Sequence, residues 1–230
     1  MSTRLVIDDQ NELIEVDAKK LPSVNGPTRW IATIVSYLFH PVFIPVYVML
    51  YLLYIHPFMF LGDSVGEKRR TLAQAVINYT IFPIVTVLLV RATGFITSLQ
   101  LPTQKDRMIP LMATMIWYFW IWNVWRNLPT TPQPLIVFSL AAFIGTIVGW
   151  LMNIYFKVSL HAISVGVLVA FMFYLAFSDM INSGIYISVA LVIAGLVCTA
   201  RMLVSSHRPA EIYFGFAGGI LSTLLATLFG

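Results

Sequence analysis

The feature that most limits what this chain can fold into is the repeated return of an apolar run long enough to cross a lipid bilayer. Such runs stand at roughly 31–56, 72–98, 110–126, 134–155, 160–177, 184–204 and 210–229, each near the ~20 residues that a helix needs to span the hydrocarbon core. Inside that core every backbone N–H and C=O must find its partner within the protein, so runs of this length dictate helices. With 59% hydrophobic and 10% charged residues and a mean hydropathy of +0.84, the chain is not an ordinary soluble domain. The expected architecture is an all-α, polytopic transmembrane bundle of about 6–7 spans. At the first run, His40-Pro41-Val42-Phe43-Ile44-Pro45 either kinks the helix or forms an interfacial turn, in which case the span starts after Pro45.

Residues 1–30 are polar and carry charges of both signs, so they read as a tail, followed by one helical domain over 31–230. Leu5, Val6, Ile7, Leu13, Ile14 and Val16 suit a short interfacial helix or a partly disordered segment. Loops are short and punctuated by Gly62-Asp63-Ser64, Pro129-Thr130-Thr131-Pro132 and Asn182-Ser183-Gly184. The net charge of +4 is dispersed, which gives nucleic-acid binding little support. The single cysteine, Cys198, excludes an internal disulfide and reads as a packing residue. Trp117, Trp120, Trp122 and Trp125 crowd one run and are expected at the lipid interface. Gly215, Gly218 and Gly219 allow close helix packing, and no strand precedes them to make a phosphate loop.

Three polar clusters interrupt the apolar pattern. They are Pro102-Thr103-Gln104-Lys105-Asp106-Arg107-Met108-Ile109-Pro110, Lys157-Val158-Ser159-Leu160-His161, and Ala200-Arg201-Met202-Leu203-Val204-Ser205-Ser206-His207-Arg208-Pro209-Ala210-Glu211. Two runs separate the first from the second and two more separate the second from the third. An even number of crossings returns the chain to the same face, so all three clusters are expected to meet on one side of the membrane. Arg and Lys gathered there suit an oxyanion, which Arg grips with a planar fork and Lys with a mobile point charge. A helix starting at Ser159–His161 would add N–H donors. His40 and His56 precede prolines outside these clusters and read as structural.

The third cluster is the most informative. Pro209 suits the first turn of a helix, which places Glu211 where it can reach back to His207. A carboxylate on one imidazole nitrogen sets the tautomer and leaves the other nitrogen for proton transfer or nucleophilic attack. The same residues also suit a simpler arrangement, with Glu211 in a capping box, His207 and Arg208 interfacial, and Arg201 snorkelling.

Taken together, the clusters resemble the type 2 phosphatidic-acid phosphatases, integral-membrane lipid phosphatases related to vanadium haloperoxidases. That family's third motif is Ser-Arg-x5-His-x3-Asp, and here Ala200-Arg201-x5-His207-x3-Glu211 keeps the arginine, histidine and acidic spacing. Val158-Ser159-Leu160-His161 resembles the second motif, Pro-Ser-Gly-His, with leucine for glycine. Lys105-Asp106-Arg107-Met108-Ile109-Pro110 offers the residue types of the first, Lys-x6-Arg-Pro, at a contracted spacing. The resemblance covers roughly 105–229. It implies that His207 attacks phosphorus, Glu211 orients it and His161 protonates the leaving alkoxide. Arg201, Lys105, Arg107 and Ser159 would hold the phosphate oxygens, with Lys157 beside them.

The expected activity is therefore metal- and cofactor-independent dephosphorylation of a membrane lipid phosphate or diphosphate. Phosphatidate, phosphatidylglycerophosphate, polyprenyl diphosphate and phosphorylated glycolipids all present the same terminal phosphate. Three alternatives remain: an anion transporter or lipid-phosphate binding protein, a catalytically silent relative, and bis-histidine haem ligation by His161 and His207. Lys68, Arg69, Arg70 and Arg126 lie on loops of the opposite face, which the positive-inside tendency places in the cytoplasm. The site is thus expected on the extracytoplasmic face of an inner or plasma membrane, with the tail exported.

Overall fold

The computed structural model describes residues 3–7, 13–17, 26–96, 98–99, 101, 103–178, 183–204 and 207–230. Pro102, Asn182, Ser205 and Ser206 of the sequence motifs lie outside the described residues. The chain opens with a two-stranded antiparallel pair, β1 (Thr3–Ile7) and β2 (Leu13–Asp17), with Thr3 opposite Asp17 and Ile7 opposite Leu13. Strands stand where the sequence suited a short interfacial helix or a partly disordered segment, and Val6, Ile7, Ile14 and Val16 are residue types whose branching favours extended backbone. The helices that follow are α1 (Gly26–Leu38), α2 (Ile44–Leu50), α3 (Val65–Val76), α4 (Phe82–Ala92), α5 (Gln104–Arg126), α6 (Gln133–Tyr155), α7 (Leu160–Ser178), α8 (Gly184–Val204) and α9 (Pro209–Phe229). Helix α1 begins at Gly26, inside the stretch read as the polar tail.

Local chemistry accounts for most boundaries. Ser64 and Glu67 form a capping box at the start of α3, and Thr103 and Asp106 form another at the start of α5. The first apolar run is not one kinked helix. It divides into α1, a turn at 39–43, and α2 with Pro45 in its first turn. A π-helical turn, Tyr51–Ile55, extends α2, and another, Ile77–Ile81, joins α3 to α4. Pro83 has no N–H to give the Tyr79 carbonyl four residues back, and the Tyr118 hydroxyl of α5 donates to it instead at 3.3 Å.

Among the described residues five helices are long and apolar enough to cross a membrane: Val65–Ala92, Gln133–Tyr155, Leu160–Ser178, Gly184–Val204 and Pro209–Phe229. This makes the chain a helical membrane bundle in character. The stretch Ile44–Ile55 is shorter, and α5 matches α6 at 23 residues but carries Lys105, Asp106 and Arg107 in its first turn.

At the centre, α9 packs on α6 and α7, with α5 against α6 and α8 against α7. The α7–α9 contact is backbone to backbone: a methyl group on Gly219 would overlap the Ile163 carbonyl, and one on Gly166 the Phe216 carbonyl. Without a hydrophobic drive between helices in lipid, such close approach is what packing there relies on. The tryptophans depart from expectation. Trp125 is buried against Tyr79, Trp117 donates to Thr86 Oγ1 at 3.1 Å, and Trp122 stacks on Phe143. They join α5 to its neighbours because each indole faces an aromatic or hydroxyl partner across the seam; Trp120 alone of the four is exposed.

Gly219→Ala should lower stability by about 1–3 kcal/mol by forcing α7 and α9 apart. Gly195→Ala, whose added methyl meets open space, should change it by less than about 0.5 kcal/mol. Thermal unfolding in one detergent would compare them, and equal effects would show that the contact at Gly219 is not tight.

Candidate functional site

The site is built around the short connection between α6 and α7. Three successive residues there are held by groups from elsewhere in the chain. The Lys157 carbonyl accepts from His207 Nδ1 at 2.9 Å, the Val158 carbonyl from Arg107 Nη1 at 3.0 Å, and the Ser159 N–H donates to the Glu211 carbonyl at 3.3 Å. The polar ends of α5, α7, α8 and α9 are thereby gathered at one end of the bundle, as the even number of crossings requires. Two further devices hold them in place. Gln104 of α5 and Asn153 of α6 exchange side-chain-to-carbonyl hydrogen bonds at 2.8 and 2.9 Å. Gly215 lets α9 approach the Ser159 carbonyl, where a methyl group would come within 2.8 Å.

His207 is 5% exposed and its Nδ1 lies 2.9 Å from both the Lys157 carbonyl and Glu211 Oε2. Both partners only accept, so Nδ1 carries the proton and Nε2 is the basic nitrogen. Glu211 Oε2 also accepts from the Arg208 N–H at 3.2 Å. The capping and histidine-orienting roles of Glu211 therefore coexist. On α7, His161 Nε2 is 3.0 Å from the Ser36 carbonyl of α1, which fixes the opposite tautomer: Nε2–H donates and Nδ1 is basic.

His161, His207, Arg107, Lys157 and Arg201 all line one cavity of about 1040 Å³. Its polar end holds these five side chains, while Leu111, Phe138, Ala142, Ile163 and Val167 line its continuation between the helices. Arg201 occupies the last turn of α8, where a cation complements the helix dipole. Two expected phosphate ligands are not on the cavity wall. Lys105 is exposed on the first turn of α5. Ser159 is wholly buried, its N–H directed to Glu211 and its Oγ accepting from the Ala162 N–H at 3.4 Å as the cap of α7. The contracted Lys105–Arg107 spacing places the two side chains on different faces of α5, and close packing of α9 takes the Ser159 N–H.

The electrostatics favour an anion. Burial lowers the His207 imidazole below its ordinary range; the Glu211 hydrogen bond opposes this and is outweighed, and the guanidinium charges of Arg107 and Arg201 add to the lowering. Burial, then the nearby Arg107 charge, also lowers the Lys157 ammonium. No group of three His, Cys, Asp or Glu side chains that could hold a metal ion occurs among the described residues.

The sequence reading missed His40, which it took as structural. His40 lines the same cavity, and its ring stands 5.2 Å from that of His161 at 83°. Burial, with the Arg201 charge adding, lowers it to about 4. The signal was present: once the first run is divided at Pro45, two apolar helical stretches, Ile44–Ile55 and Val65–Ala92, separate His40 from Lys105 and return the chain to the same end. Arg29 of α1 also lines the cavity and had no motif to mark it. His56 remains structural, its Nδ1 accepting from the Met59 N–H at 3.2 Å. Compared with family models, curated proteins and solved structures, the chain gives no match to any of the three.

Both lowered histidines bear on stability. Below an unfolded value of about 6.5 the unfolded chain binds protons that His40 and His207 in the fold do not, so their contribution is present above that pH. It is lost as pH falls toward 4. Melting temperatures measured from pH 7 down to 4 should fall, and the fall should be shallower for His207→Gln. An unchanged slope in that variant would mean that His207 is not held neutral.

Proposed function

We propose that the chain is a lipid-phosphate phosphatase of the type 2 phosphatidic-acid phosphatase kind, acting through a phosphohistidine on His207. The observation that carries this reading is the doubly anchored His207 Nδ1, which leaves Nε2 as a neutral nucleophile on the wall of a cavity lined by Arg107, Lys157 and Arg201. In the first step Nε2 bonds to phosphorus and the bond from phosphorus to the lipid oxygen breaks. His161 Nδ1, having taken a proton from solvent, gives it to the leaving alkoxide while Nε2–H stays on the Ser36 carbonyl. In the second step water attacks the phosphohistidine, its proton passes to His161, and inorganic phosphate leaves. Glu211 orients the nucleophile and stabilises the charge it acquires. The fixed cations Arg107, Lys157 and Arg201 offset the charge that gathers on the transferring phosphoryl group, the role a metal ion fills elsewhere. Lys105 and Ser159 have no part in it.

The position of the ionisable groups favours this reading over an anion transporter. Arg107 and His161 lie in first turns and Arg201 in a last turn, whereas transporter sites sit near the bilayer midplane. The apolar continuation of the cavity suits a lipid tail. By the positive-inside tendency, Lys68, Arg69 and Arg70 at the start of α3 and Arg126 at the end of α5 support an extracytoplasmic orientation for the site.

His207→Ala should lower phosphate release from a lipid phosphate by about 10⁴-fold or more, and Glu211→Gln by about 10²–10⁴-fold. Full activity in a folded His207→Ala protein would end the phosphohistidine mechanism. His161→Ala should turn over a p-nitrophenyl ester better, relative to the parent protein, than an alkyl ester, since a good leaving group needs little protonation. Arg201→Ala should impair both. For orientation, Gly62→Cys in a Cys198→Ala background should resist an impermeant maleimide in intact cells; ready labelling would reverse the topology.

A further inference from the structure

A cavity that receives a substrate needs an opening, and side chains that belong both to its wall and to the outer surface mark where that opening is. Five described residues meet both conditions, one of them the cation Arg29 near the start of α1. Tyr37 of α1 is 66% exposed, Ile84 and Leu88 of α4 are 41% and 48% exposed, and Leu99 just beyond α4 is 49% exposed, and these four line the cavity as well. Ile84 and Leu88 stand one helical turn apart, so they present a continuous edge. On the other side of the opening, α1 packs on α8, while α4 packs on α5. The cavity runs between these two pairs.

The α4 edge of the opening lies in the apolar part of the bundle. Helix α4 ends at Ala92, near the polar end, where the Leu101 carbonyl accepts from Arg107 Nε at 3.1 Å. Leu88 and Ile84 are one and two turns below that end. The cavity wall on α5 runs from Arg107 to Tyr118, roughly 16 Å at 1.5 Å per residue. The polar and apolar parts of the cavity are therefore stacked along the helix axes, and the side opening meets the apolar part.

We propose that the seam between α1 and α4 is a lateral portal through which the hydrocarbon chain of a phosphate-bearing lipid reaches the cavity directly from the bilayer. The phosphate rests against Arg107, Lys157 and Arg201, and the chain leaves between Tyr37 and Leu88. A chain that stays in hydrocarbon throughout never exposes its methylenes to water, and each methylene so spared makes this route more favourable than an aqueous one. A soluble phosphomonoester gains nothing from the seam and arrives from the aqueous end. What happens at the phosphate rests on the phosphatase reading above, but the portal does not. Both of its walls precede residue 105, outside the part of the chain that resembles the phosphatase family. Helix α1 also carries Ser36, whose carbonyl holds His161, so one wall of the portal is joined to the site.

The test fills the seam from outside. Leu88→Trp should lower kcat/KM for dodecyl phosphate in detergent by about tenfold or more, and leave glycerol phosphate within about twofold. Leu89→Trp is the control, because Leu89 is exposed beside it and does not line the cavity; it should leave both substrates unchanged. A second measurement needs no turnover. In a Cys198→Ala background, alkylation of the Leu88→Cys variant by a maleimide should be slowed by dodecyl phosphate and not by glycerol phosphate. Equal loss with both substrates in Leu88→Trp, loss with neither, or absence of protection in Leu88→Cys would overturn the portal. Protection without phosphate release from the parent protein would keep the portal and overturn the phosphatase reading. Release of phosphate with neither selectivity nor protection would do the reverse.

Discussion

A backbone carbonyl between two membrane helices has to be given a donor, and at Lys157 and Val158 this chain gives it His207 and Arg107. The rest of the polar end follows from that obligation. Holding the loop orients both side chains, because a ring or guanidinium bonded to a fixed carbonyl has few remaining orientations. In return, the loop ties α5 and the start of α9 to the junction of α6 and α7, and the Ser159 N–H closes the arrangement on the Glu211 carbonyl. The hydrogen bonds that hold the loop are the same ones that orient His207 and Arg107.

The charge balance gives the site its sign. Arg107, Lys157 and Arg201 share a cavity, and the Glu211 carboxylate, which is not on its wall, is turned toward His207. Like charges held in a partly buried space cost stability, and an anion bound among them recovers it. Burial, with the charges of Arg107 and Arg201 adding, keeps His207 neutral. The cation-lined end of the cavity and the neutral state of His207 thus have a common physical origin, and beyond them the cavity continues between apolar side chains.

Several features were legible from residue order. The spacing of Arg201, His207 and Glu211 placed a carboxylate one turn from an imidazole, and counting spans put three polar clusters on one face. Glycine at 215 and 219 signalled close approach of α9, although its partners on α7 and at Ser159 were not readable. Other inferences failed for identifiable reasons. Lys105 and Ser159 have suitable chemistry, but a residue type in a motif does not say which way a helix turns it or whether a neighbour has already taken its N–H. His40 was read as structural because it precedes a proline outside the polar clusters, yet the α1–α2 turn brings it to His161. The tryptophans of α5 were assigned to the lipid interface on composition, whereas Thr86, Tyr79 and Phe143 hold three of them at helix seams.

By itself the sequence determined the helical membrane character and the end of the bundle at which polarity collects. Lipid cannot satisfy backbone polar groups, so apolar runs of bilayer length leave the chain little choice, and the parity of crossings needs only their number. Tertiary structure alone decided which cations face the cavity, which nitrogen of each histidine is protonated, and where the cavity opens. Those properties depend on contacts between residues far apart in the chain, such as Ser36 with His161 and Lys157 with His207. Hydrogen-bond direction and helix rotation are set only when those partners meet.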